Sequence, residues 1–142
     1  MRASGVLRIA SLVALVQGAV HTALFLTARP GHGAEEEAVI AAMQSHHFLF
    51  SGQPRSYWDF YFGYGLLAAL VVFVEAILFW MLAGIAKDSP QRTRPIVALF
   101  ILYNIAHATI LMRYFFPLPI VMDGLVTATL VWAFAVAGRL VE

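Results

Sequence analysis

Four long apolar runs constrain this chain more than any other feature. A helix needs about 20 consecutive apolar residues to cross a hydrocarbon layer. The runs fall at Leu7 to Thr27, "LRIASLVALVQGAVHTALFLT", at about Phe60 to Ala86, at Ile96 to about Phe116, and at Ile120 to Val141. The second is longer than crossing requires and is expected to tilt or protrude. Pro95 is expected in the first turn of the third, and "PLP", Pro117 to Pro119, is expected to break the chain before the fourth. Of 142 residues, 61% are hydrophobic and 12% charged, with a mean hydropathy of +0.81. A soluble domain is roughly half apolar and about a quarter charged. The expected fold is therefore all-α: an integral membrane four-helix bundle, with residues 1–142 as one transmembrane domain.

Cysteine is absent, which removes disulfides, thiolate metal sites and Cys nucleophiles. Basic residues flank the apolar runs instead of forming a stripe, so nucleic acid is not an expected partner. Their distribution sets the expected direction of insertion. Arg2, Arg8, Lys87, Arg92, Arg94 and Arg139 fall on the side of both termini, and Arg29, Arg55 and Arg113 on the other. That imbalance places the N- and C-termini in the cytoplasm, in a bacterial-type inner membrane. Arg2 and Arg8, with Gly31 and Gly33 before Ala34, resemble parts of a secretory leader. The first run is too long for a signal core, however, and Gln17 and His21 interrupt it. Retention as a span is expected.

Between the first two spans, "AEEEAVIAAMQSHHFLF" places Val39, Met43, His46/His47 and Phe50 at helical spacing. Its three glutamates suit the positive end of a helix dipole. A short extracytoplasmic interfacial helix is expected over about 34–50, with "SGQPRS" turning the chain into the second span.

Side chains that lipid rejects are expected to face the bundle interior. Gln17 and His21 share a face, four residues apart. Tyr103, Asn104 and His107 lie close together on the third span, and Asp123 and Thr127 on the fourth. Tyr57, Tyr61, Tyr64 and Glu75 follow one stripe, because at about 100° per residue Glu75 returns to within about 40° of Tyr61. Most of these residues lie in the outer halves of their spans. An outward-facing polar pocket follows, with Glu75 as its floor. Glu75, His107 and His21 are the candidate catalytic groups. Tyr61, Tyr64, Asn104, Gln17, Trp58, Asp59 and Asp123 are the candidate ligand contacts, and no metal ligand set is assigned.

Each residue also has a plainer use. An intramembrane histidine commonly bonds a neighbouring helix, and "YWDFYFGY" suits an interfacial aromatic belt. Asp59 can cap its helix or pair with Arg55, Asp123 can complement a first-turn dipole, and Asn104 with Tyr103 can join helices. Glu75 is harder to explain this way. At its depth it is protonated, or it is paired with His107, His21 or a bound cation. Gly18, Gly63, Gly65, Ala68 and Ala69 let helices approach closely or admit a lipid tail.

Several function classes follow. A carboxylic acid beside an imidazole and tyrosine hydroxyls can move protons on a lipophilic small molecule, as in isomerisation or hydration of an isoprenoid. His21 and His107, on separate spans, are the minimum for bis-His haem. Weak surface metal binding near Glu35–Glu37 and His46–His47 belongs to the same class. No cofactor is named by the sequence. In a third class, the polar groups only fix helix pairing in a structural or accessory subunit. Proton conduction past Glu75 would need several copies, and homo-oligomerisation stays open.

The run "AMQSHHFLFSGQPRSYWDFYFGYGL", preceded by a span bearing His21, resembles a group of uncharacterised small bacterial four-helix membrane proteins. They share an outer "AM" helix, an aromatic–x–x–aromatic pattern and a Gly–aromatic pair at the start of span two. The resemblance covers about the first half of the chain and implies the fold without an activity. More broadly, the expected bundle is similar to DoxX-type and sterol-isomerase-type membrane proteins. The catalytic motif of the latter does not align here residue by residue, so no roles are carried over.

Overall fold

The computed structural model describes residues 2–139. In chain order these form α1 (Ala3–Thr27), α2 (Ala34–Ser45), β1 (His47–Phe50), β2 (Gln53–Ser56), α3 (Tyr57–Ile85), α4 (Pro90–Tyr114) and α5 (Pro117–Gly138). Four of the helices, α1, α3, α4 and α5, are long and apolar enough to cross a membrane. The expected end of the fourth span, at residues 140 and 141, lies outside the described residues.

The helices extend past the apolar runs wherever local chemistry supports a first turn. At α3, the Ser56 amide donates to Asp59 Oδ2 at 2.8 Å and the Asp59 amide to Ser56 Oγ at 3.2 Å. This reciprocal cap starts the helix at Tyr57, ahead of the expected Phe60. In α4 the favourable first-turn position belongs to Pro90, not Pro95, which lies inside the helix. A proline at the start sacrifices no helical hydrogen bond, because the first amides have no intrahelical acceptor. By the same reasoning "PLP" is not a breaker. Pro117 and Pro119 lie within the first turn of α5.

The expected helix over 34–50 is corrected. It stops at Ser45, and His47–Phe50 pairs antiparallel with Gln53–Ser56, His47 opposite Ser56 and Phe50 opposite Gln53. Ser51 and Gly52 form the turn, with φ of 50° and 79°. Two successive positive φ values match the twist of a tight hairpin. The segment read as a plain turn is thus half of a β-ribbon, an addition to the all-α expectation. On α2 the partly covered residues are Glu36, Ile40 and Met43, whereas Val39 is exposed.

The chain divides into two compact units, one of residues 2–18 with 72–139, the other of 19–71. The first is built from segments of all four long helices around one apolar cluster. On α1, Ala3, Val6, Leu7, Ala10 and Ala14 recur at the three- and four-residue spacing of one helix face. Val126, Leu130, Ala133 and Ala137 do the same on α5. Eight of the fifteen cluster residues are alanine, so backbones come close and dispersion contacts accumulate without bulky side chains. Phe79, fully buried, meets Phe100 edge-on at 5.0 Å. The Ser11 hydroxyl crosses from α1 to donate to the Ala76 carbonyl at 2.7 Å.

The second unit comprises residues 19–27, α2, the ribbon and residues 57–71. Phe48 packs on Tyr57 at 5.0 Å and Phe50 on Phe60 at 5.3 Å, which attaches the ribbon to the start of α3. Phe25 lies against Gly65 so closely that a Cβ there would collide with its ring.

Candidate functional site

The α4–α5 connection explains how two ionisable groups meet. Only Phe115 and Phe116 separate the helices, so α5 folds back along α4. His107 lies eight residues before Phe115 and Asp123 seven after Phe116, about 12 Å and 10 Å along the respective axes at helical rise. They therefore fall at matching heights. His107 Nδ1 lies 3.2 Å from Asp123 Oδ1. Asp123 is 3% exposed and lies beyond the first turn of α5, which holds no acid. Its expected use as a dipole partner is thereby replaced by a contact between helices.

A carboxylate only accepts, so Nδ1–H of His107 donates to it, and in the neutral ring Nε2 then carries the lone pair. The side chain of His107 is 35% exposed. Buried carboxylate and accessible imidazole together form an oriented acid–base pair, the carboxylate fixing tautomer and ring direction. The other oxygen, Asp123 Oδ2, is buried and without a hydrogen-bond partner among the described residues. Native interiors rarely leave such an acceptor open.

Glu75 joins from α3, 8% exposed. Its carboxyl faces the Tyr103 hydroxyl and lies within charge-interaction range of both Asp123 and His107. Tyr103 stacks on His107, one helical turn away, with ring centroids 5.8 Å apart and planes 7° from parallel. Three helices thus bring two carboxyls, an imidazole and a phenol together. Tyr103 is among the residues expected to face the interior, with a joint between helices as its plainer use, and it is not among the expected site residues. Its position four residues before His107 is the sequence signal for its place here.

The other expected residues divide in two groups. In the same unit, Asn104 is buried, but its Nδ2 donates to the Phe100 carbonyl of its own helix at 2.8 Å. Gln17 is half-buried on α1. In the second unit, His21 Nε2 reaches the Gly65 carbonyl at 3.1 Å and its ring stacks on Phe25. Asp59 is held by its cap. Trp58 lies 5.4 Å from Tyr61, and Tyr61 and Tyr64 are mostly exposed. Among the described residues no three His, Cys, Asp or Glu gather at metal-binding distances.

Fold and cluster define a class: a helical protein with four helices of membrane-crossing length and ionisable groups gathered on three of them. No family model, curated protein or solved structure matches the chain.

Proposed function

We propose that the chain is a four-span integral membrane protein in which Glu75, Tyr103, His107 and Asp123 bind a lipid-like or isoprenoid small molecule and move a proton on it. One observation carries this reading: a single buried carboxylate orients the ring of a partly exposed His107. With Nδ1 held by the carboxylate, the other nitrogen of this partly exposed ring is left to meet a hydrogen-bond donor on a ligand head.

Support for the membrane comes from the helix flanks. Leu15, Leu67, Leu102 and Val121, one from each long helix, are 47%, 55%, 66% and 57% exposed. Apolar surface on this scale is stable in lipid and aggregates in water. A ligand that enters between such helices is itself lipophilic. At the cluster, His107 Nε2 takes a proton from the ligand while Glu75 or Tyr103 returns one elsewhere. A double-bond shift needs only that exchange and no co-reactant. The basic residues place both termini in the cytoplasm, and α2 then lies on the outer surface.

Mass spectrometry of detergent-purified protein tests the reading. A lipophilic compound is expected with the wild type and is lost from Glu75→Gln and His107→Ala, while helical circular dichroism is unchanged. If nothing co-purifies and both variants alter folding alone, the groups serve helix pairing in an accessory subunit. A Soret band would instead indicate haem. Labelled single cysteines at Ser51 and Ser89 report on the direction of insertion.

A further inference from the structure

Away from this cluster, where α1 begins and α3 turns into α4, the first unit holds a cavity of about 580 Å³. Ala3 and Ala86 give it a buried apolar wall. Arg2, Lys87 and Arg92 line it with a single acid, Asp88, which leaves a net charge of +2. Among the described residues no ion pair engages any of the three cations. Both α1 and α4 start at this cavity, and neither has an acid in its first turn. The positive ends of two helices therefore add to the unpaired side-chain charge.

We propose that this cavity binds the phosphate headgroup of an anionic phospholipid. Position favours a lipid over a soluble anion, because the cavity lies at the ends of three apolar helices. Ile85, Ile96 and Leu99, close by on α3 and α4, are 49%, 43% and 64% exposed and provide apolar surface for acyl chains. Basic pockets at helix ends are established headgroup sites, and each interfacial cation strengthens such binding by about a factor of five. The assignment rests on the membrane reading and not on the acid–base cluster.

The full chain, reconstituted in nanodiscs of phosphatidylcholine with a minor fraction of phosphatidylglycerol, is released for native mass spectrometry. Retention of phosphatidylglycerol over phosphatidylcholine is expected. Lys87→Gln with Arg92→Gln should weaken it roughly 30-fold, while Arg113→Gln, at the other end of α4, leaves it unchanged. Should the double variant not fold, each single change is read alone, with an expected loss of about fivefold. Equal retention of the two lipids, or equal phosphatidylglycerol on wild type and variants, overturns the proposal. Displacement by millimolar inorganic phosphate also overturns it, reassigning the site to a soluble phosphate. Glu75→Gln should leave phosphatidylglycerol bound, so failure of the acid–base reading is separately visible.

Discussion

Replacing His107 and Asp123 with alanine, singly and together, measures whether their contact stabilises the α4–α5 hairpin. A hydrogen bond to a charged group contributes about 1.5–3 kcal/mol in proteins generally. Polar contacts between membrane helices average only about 0.6 kcal/mol, with a maximum near 1.7. Here the N···O distance of 3.2 Å is at the long end of the range, and the His107 side chain is 35% exposed, both of which reduce the strength. Burial of Asp123 to 3% exposure acts the other way. The expected coupling is therefore about 1 kcal/mol, a factor of about five in the unfolding equilibrium. It is read from denaturant unfolding in mixed micelles, followed by circular dichroism and tryptophan fluorescence. Thr109→Ala serves as the control, because its hydroxyl donates to the Ile105 carbonyl of its own helix. Its combination with Asp123→Ala should be additive. A His107/Asp123 coupling no larger than this control, within the usual additivity error of about 0.3 kcal/mol, would refute the pair as an interaction.

Gly65→Ala should destabilise the protein by about 1–3 kcal/mol, since the added methyl collides with a Phe25 ring confined by His21, Tyr61 and Phe62. Gly63→Ala meets nothing within 4 Å, so equal losses in thermal unfolding would contradict that explanation. Glu36 is held below the ordinary glutamate range, first by the His32 amide, then by the His32 ring and the Gly31 amide. With a depressed folded value, its contribution is complete above the unfolded value of about 4.3 and is lost as pH falls through the lower folded value. Amide NMR shifts of Gly31 and His32 should titrate together below about pH 4.3 and lose that step in Glu36→Gln; a midpoint at or above that pH refutes the anchoring.

The four long helices were legible because each follows a long, mostly apolar run, and length with composition decides whether such a run can cross a bilayer. Their ends were less legible. Hydropathy follows what lipid accepts, whereas a helix continues as long as its backbone is bonded. Arg92 and Arg94 are therefore helical although neither is apolar. The ribbon escaped notice for a related reason. The spacing of Val39, Met43 and Phe50 fits a helix, and only the Ser51–Gly52 pair, able to take two positive φ values, signals a hairpin.

The cluster was legible by residue and not by partnership. A polar residue in an apolar run shows which helix face is used, but not which helix lies opposite. His107 could thus be matched with His21 or Glu75 on depth alone. What selects Asp123 is the two-residue connection at Phe115–Phe116, which places positions equidistant from it side by side. That step needs Pro117 to open a helix instead of ending one. Reading the proline as a breaker moved Asp123 into a first turn and gave its charge to the dipole. Once the helix starts at Pro117, the carboxylate lies beyond that turn, and the imidazole across the hairpin is its partner.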